Sequence, residues 1–191
     1  MTGIGRCPGT AVGPAYWLGK RDFKVGRYSL GAGEVKAEVA RFRRAVAASA
    51  TQLRRLKKKL ALEMGEQHNY ILDAHLMLMK DRMLLDDVVG RIRGENVNAE
   101  WALKKAIDRF QAIFRNFEDH YLREKAADVE DIGYRILQNL IGKVPERVMK
   151  VPEGVIVVAH DLSPSAAAQM AGGKTLAFAP DAGGNTSHTA T

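Results

Sequence analysis

The sequence predicts an α/β domain interrupted by a four-helix bundle, a fold of mixed α+β and α/β character. Three observations carry this. β-branched and turn-bounded runs lie near both ends of the chain. The middle holds apolar stripes at alternating spacings of three and four. Gly and Pro mark the changes between the two patterns.

Residues 1–20 open with Cys7-Pro8-Gly9-Thr10-Ala11-Val12-Gly13-Pro14-Ala15-Tyr16-Trp17-Leu18. Short apolar pieces broken by Gly and Pro read as a turn followed by a strand. The pattern changes near residue 33. Val39, Phe42, Val46, Ser49, Leu53, Leu56 and Leu60 form one stripe of a long helix. Gly65 breaks it. A second apolar set follows in Ile71, Leu72, His75, Leu76, Leu78, Met79 and Leu84, as one or two shorter helices interrupted near Lys80-Asp81-Arg82. Asn98 is placed to cap a third helix, with the stripe Leu103, Ile107, Phe110, Phe114, Phe117 and Tyr121. Its Phe residues read as core packing. A fourth runs through Val129, Ile132, Ile136, Leu137 and Leu140, with Gly142 as its C-terminal stop. Four such helices can bury a shared core.

From Pro145 the pattern changes again. Gly154-Val155-Ile156-Val157-Val158-Ala159 reads as a buried strand. Asp161-Leu162-Ser163-Pro164-Ser165 is a turn, Ala166 to Met170 a short helix, and Thr175-Leu176-Ala177-Phe178-Ala179 a further strand. The strand near residues 11–18 is expected to join the same sheet. The domains are therefore 1–20 with 145–191, and an inserted 21–144.

Charge excludes less than it suggests. The net charge is +7, but Arg41, Arg43, Arg44, Arg54, Arg55, Lys57, Lys58 and Lys59 fall within one helical stretch. They read as a solvated helix face. No aromatic residues interleave with them, so a nucleic-acid stacking platform is not expected. No apolar run approaches a membrane span, and the N-terminus lacks a secretory apolar region, so a cytoplasmic protein is expected. The single Cys7 cannot form an internal disulfide and reads as a small packed side chain. His75 has no second ligand at i+4, so a core or partner role is expected there and metal binding is not. His68, His120 and His160 have no spaced partners and carry no assigned function.

The chemistry concentrates in Asp181-Ala182-Gly183-Gly184-Asn185-Thr186-Ser187-His188-Thr189. Glycines let backbone N–H groups approach a ligand and permit φ > 0. Adjacent hydroxyls bind anionic oxygens, and an imidazole nitrogen is a competent nucleophile. These parts suit a histidine that carries a phosphoryl group. Asp181 reads as a turn former.

The segment 181–188 closely resembles the Gly-Gly-x-Thr-Ser-His signature of phosphoenolpyruvate-utilising phosphotransferases. Within that superfamily the chain resembles the N-terminal part of enzyme I of the bacterial phosphoenolpyruvate:sugar phosphotransferase system. Cys7-Pro8-Gly9 with Ala11 and Gly13 is similar to that family's opening. Ala74-His75-Leu76-Met77-Leu78 is similar to its partner-binding helix, and Tyr121 through Gly133 to a long family stretch. Asp161-Leu162-Ser163-Pro164-Ser165 is similar to the loop before the histidine.

That resemblance implies a mechanism. His188 takes a phosphoryl group from phosphoenolpyruvate through its ε nitrogen and passes it to a histidine of the small carrier protein HPr. Thr186, Ser187 and the Gly183–Gly184 backbone are the expected donors to the phosphoryl oxygens. His75, Leu78 and Asp81 are expected to line the HPr docking face. The resemblance also implies that this chain is the N-terminal fragment of a dimeric enzyme. The missing C-terminal barrel would bind phosphoenolpyruvate and Mg²⁺. The fragment is then a monomer, holds no metal or other cofactor, and does not autophosphorylate from phosphoenolpyruvate alone. Its sheet is expected to keep an exposed edge. A dikinase-like or nitrogen-regulatory relative, or a docking module without activity, are the alternatives.

Two departures stand out. Ala167 replaces a hydroxyl that the family often sets against its active histidine. Lys80-Asp81-Arg82 replaces an acidic run on the docking helices, which points to a cognate carrier less basic than usual.

Overall fold

The computed structural model describes residues 9–19, 25–31, 33–64, 69–116, 120–142, 151–159, 166, 170 and 175–180. The chain divides into two compact units. One comprises residues 1–21 with 149–191, the other residues 22–148. The described residues are mostly helical, with one small parallel sheet.

The sheet belongs to the first unit. Its strands are β1 (Ala15–Leu18), β2 (Ile156–Ala159) and β3 (Ala177–Pro180), in the order β1-β2-β3 and all parallel. Ile156 pairs with Ala15 on one side and Ala177 on the other. The central strand is the most β-branched segment of the chain, as a strand hydrogen-bonded on both sides favours. Its alternation is clear: Val155, Val157 and Ala159 are buried, while Ile156 and Val158 are half-buried. Ala166 and Met170, both helical, pack on the buried face with Tyr16, Leu18, Val151 and Phe178. Among the described residues β1 and β3 each pair on one side only.

A close approach enters the sheet. A Cβ at Gly13 would lie 2.7 Å from Leu176 Cδ1 and 3.0 Å from the Gly154 carbonyl oxygen. Glycine is what lets Pro14 O accept from the Ile156 N–H at 2.9 Å. Gly154 itself has φ +71°, in the left-handed region.

The helical unit holds α1 (Val35–Met64), α2 (Asn69–Leu78), α3 (Arg82–Glu95), α4 (Ala99–Arg115) and α5 (His120–Leu140). Among the described residues these are five helices, the second apolar set, expected as one or two shorter helices, being split in two. The break falls at Lys80–Asp81, where the Asp81 backbone is extended and its side chain accepts from the N–H groups of Met83 and Leu84. The core follows the stripes: Val39, Phe42, Leu53 and Leu60 of α1, Leu72 and Met79 beside α2, Leu103 and Ile107 of α4, and Val129, Ile132 and Ile136 of α5 are buried.

Two expectations are corrected. Tyr121 lies on α5, because α4 ends at Arg115 with Asn116 as its C-cap and a separate helix begins at His120. The apolar spacing runs through that break and hides it. Phe110 and Phe114 are half-buried, so this part of the Phe stripe is not full core packing. Gly142, two residues beyond α5, adopts φ +71°, the left-handed stop expected of it.

Asn98 occupies the N-cap position of α4 but makes no side-chain cap bond. Its Oδ1 accepts from the Tyr28 N–H, and its Nδ2 donates to Gly26 O and Glu100 Oε2. The capping carboxylate comes from α1 instead: Glu38 Oε1 accepts from the Ala99 N–H at 2.6 Å. Arg41 completes the cluster. It bonds both oxygens of Glu38 and of Glu100 at 2.7–2.9 Å and donates to Leu140 O at 2.9 Å, so one guanidinium ties α1 to the start of α4 and the end of α5. Carboxylates at a helix N-terminus and a cation at a C-terminus both suit the helix dipole.

Candidate functional site

The segment expected to carry the nucleophile follows the sheet in sequence. β3 ends at Pro180, whose partner in the register is Ala159, the last residue of β2. The chain runs from there directly into Asp181. Open parallel sheets present ligand sites at the carboxyl ends of their strands, and this loop leaves from such an end. Gly183, Gly184, Thr186, Ser187 and His188 lie outside the described residues, as do Asp161 to Ser165 and Ala167.

The expected docking residues lie in the helical unit, and the structure separates them. Asp81 is exposed and Leu78 half-buried. His75 is 1% exposed, so its imidazole faces the core and does not line a surface. The reason is on α5. His75 Nε2 lies 3.2 Å from Asp128 Oδ1, and Nδ1 lies 3.7 Å from Asp131 Oδ2. A buried imidazole with carboxylates on both nitrogens anchors α2 to α5. The i, i+3 spacing of Asp128 and Asp131 was the signal that a partner for both nitrogens existed, and nothing local links them to His75.

Burying Leu72, His75 and Met79 turns the opposite side of α2 outward. Tyr70 is 60% exposed and Met77 74%, and Met83 in the first turn of α3 is 69% exposed. Of these three, only Met77 falls in the segment that resembles a partner-binding helix, and sequence reading did not single out Tyr70 or Met83. The signal available was the spacing of 70, 73 and 77, one face of a helix with a charged member.

Acid–base behaviour is shifted most at the Arg41 cluster. Hydrogen bonding by Arg41 holds the Glu38 carboxyl below its ordinary range, against the opposing effect of burial. Burial pushes Glu100 up, but the bonds from Arg41, the backbone and Asn98 together outweigh it and bring it down. The two carboxylates raise Arg41, which remains a cation throughout. Burial raises the Tyr28 phenol, with Glu100 and Glu38 adding to it. Glu38 and Arg41 lie on α1 and Glu100 on α4, with Tyr28 in the stretch before α1. Among the described residues no group of three or more His, Cys, Asp or Glu side chains is placed to hold a metal ion, and no helix is long and apolar enough to cross a membrane.

Comparison with known proteins gives one consistent answer. Residues 2–125 match the family model of the PEP-utilising enzyme N-terminal region, and residues 151–191 match that of the PEP-utilising enzyme mobile domain. The phosphoenolpyruvate-protein phosphotransferase of Bacillus subtilis is 37% identical over 191 residues, covering 100% of this chain and 33% of the relative. That of Listeria monocytogenes is 35% identical over 190 residues, with the same shares. The chain thus spans about a third of the length of these relatives. A solution structure of Enzyme I superposes with a TM-score of 0.74 at 36% identity, covering 97% of this chain and 75% of that one. The N-terminal domain of Enzyme 1 - Nitrogen does so at 0.64 and 25%, with equal coverage. With nearly two thirds of its residues matched by one family model and its fold matched by Enzyme I, the chain belongs to the PEP-utilising enzymes and is similar to about a third of the phosphoenolpyruvate-protein phosphotransferases it matches.

Proposed function

We propose that this chain carries a phosphoryl group on His188 and exchanges it with a small histidine-phosphorylated carrier protein of the HPr kind, in sugar uptake by the phosphotransferase system. The observation that carries the reading is the Gly183-Gly184-Asn185-Thr186-Ser187-His188 loop leaving the carboxyl end of β3, inside the segment matched by the mobile-domain model. In the exchange His188 Nε2 attacks the phosphorus on the carrier. The P–N bond to His188 forms as the carrier's P–N bond breaks, and the electron pair returns to the carrier imidazole. A neutral imidazole near pH 7 supplies the lone pair. Positioned donors do the rest, since phosphoryl transfer is mainly placement and charge stabilisation. Gly183 and Gly184 N–H groups and the Thr186 and Ser187 hydroxyls fill that role here.

The unit of residues 1–21 and 149–191 serves as the phosphohistidine domain. The helical unit serves as the carrier-docking domain, with Leu78 and Asp81 at its surface and His75 positioning α2 from within. In this reading phosphoenolpyruvate binding, Mg²⁺ binding and dimerisation belong to the part of the relatives that this chain does not match. The protein works in the cytoplasm and touches neither nucleic acid nor membrane. A nitrogen-regulatory role is the second reading. It rests on the likeness to Enzyme 1 - Nitrogen, and the higher identity and TM-score of Enzyme I favour the sugar system.

Reverse transfer tests this without phosphoenolpyruvate. After incubation with the phosphorylated carrier of the same genome, neutral-pH mass spectrometry is expected to find one acid-labile phosphoryl group within residues 181–191. His188→Ala is expected to take up none. Uptake that survives in H188A, or wild type that binds the carrier and takes up nothing, would remove the proposal.

A further inference from the structure

The outward side of α2 is built as an interface, and its charge states what fits it. Tyr70, Asp73 and Met77 follow one another at i, i+3 and i+7 on α2, Lys80 lies in the turn just beyond it, and all four are exposed. Met83 and Arg82 continue the exposed surface on α3. Tyr70, Met77 and Met83 are exposed, and Tyr and Met are enriched where proteins dock.

The neighbouring helix supplies the rim. Lys57 of α1 bonds both oxygens of Asp73 at 2.6 and 2.7 Å, which fixes that row of α1 beside the exposed row of α2. Arg54 and Lys58, one turn before and one residue after Lys57, are exposed. Lys80 and Arg82 stand at the other end of the α2 row. The carboxylates described nearby are occupied or outnumbered. Asp73 is held by Lys57, and Asp81 is engaged in capping α3. Asp86 is the remaining exposed acid on the first turns of α3. Arg54, Lys58, Lys80 and Arg82 are therefore left to face a partner.

We infer that the protein seated on α2 presents carboxylates around an apolar centre, with Tyr70, Met77 and Met83 as the anchors and Arg54, Lys58, Lys80 and Arg82 as the charged rim. This rests on the carrier-docking reading above and adds the chemistry of the carrier: an acidic docking face. Opposite potentials across such a rim steer encounter and reject partners of the wrong sign. The apolar anchors argue for a protein surface over a nucleic acid, whose phosphates offer nothing to two methionines.

The experiment is binding of the carrier from the same genome to the full chain, by calorimetry at two salt concentrations. Phosphoryl uptake by His188 is read in parallel. The variants are R54E/K58E, K80E/R82E, M77S/M83S and, as control, R43E/R44E. The control pair is exposed and lies about 20 Å along α1 from Lys57 at 1.5 Å per residue. Each of the first three pairs is expected to weaken binding about tenfold or more, the two charge reversals losing their effect at high salt, with the control within about twofold. Charge reversals that leave affinity unchanged or tighten it, while wild type binds and takes up phosphoryl, overturn this inference alone. Wild type that neither binds nor takes up phosphoryl overturns the docking reading with it. Equal loss in the control would reduce the effect to net charge and overturn the assignment of the surface. Retained affinity in M77S/M83S would do the same for the anchors.

Discussion

His75 shows how far one side chain organises the helical unit. Its imidazole is buried between Asp128 and Asp131, joining α2 to α5 across 53 residues of sequence. His75→Leu keeps the bulk and removes both polar contacts. It is expected to lower unfolding stability by about 1–3 kcal/mol, the cost of withdrawing a buried polar partner, read as a lower urea midpoint. His75→Gln, which still offers one donor, should recover part of that loss. If H75L were as stable as wild type, the anchor would be packing alone. Arg41 makes a second such point. Glu38 and Glu100 are held below their unfolded-state values, so each adds stability above its unfolded pKa and loses it as pH falls through the folded one. Stability of the helical unit is expected to fall as pH drops below about 4.5, where unfolded carboxyls begin to take up protons. Arg41→Met should flatten that fall and cost about 2–3 kcal/mol near neutral pH, less than a fully buried pair because the guanidinium is 30% exposed. Urea titrations from pH 3 to 7 on both proteins check the sign.

At the scale of elements, caps and close approaches do the positioning. Asp81 ends the turn after α2 and caps α3, so Asp81→Ala is expected to cost about 1 kcal/mol and to fray the first turn of α3, while Asp81→Asn keeps the cap. Amide exchange at Met83 and Leu84 reads this directly. Gly13→Val puts a Cβ against Leu176 and the Gly154 carbonyl, and is expected to cost about 1–3 kcal/mol with the loss localised to the sheet. A neutral outcome would mean that Leu176 alone gives way. These elements also show what a sequence reveals. The α1 stripe and the break near residues 80–81 were legible because helix periodicity and its interruption are local. The cap of α4 was not. Asn98 has the right residue type in the right place, but the carboxylate that caps Ala99 lies 61 residues away on Glu38. The end of α4 was hidden because Phe114, Phe117 and Tyr121 keep helical spacing in the sequence past Arg115, its last residue.

For the whole molecule, chemistry and docking are written in the chain in different ways. The residues proposed for phosphoryl transfer are contiguous, Gly183 to His188, so their pattern survives in one dimension. The proposed docking surface draws on α1, α2 and the start of α3. Its members appear exposed only once His75, Leu72 and Met79 have claimed the inner side of α2. The expected placement of His75 on that surface failed for the same reason: its partners are on α5, and sequence spacing cannot show which neighbour a lone histidine meets. The central claim is that His188 is a waypoint for a phosphoryl group and not its end point. The direct measurement is a chase. The chain phosphorylated by the carrier is separated from it, mixed with fresh unphosphorylated carrier, and followed by neutral-pH mass spectrometry of both proteins. The expected result is loss of the phosphoryl group from residues 181–191 with matching gain on the carrier, faster than release of phosphate to water. A group that stays on the chain, or leaves only as free phosphate, would contradict the assignment.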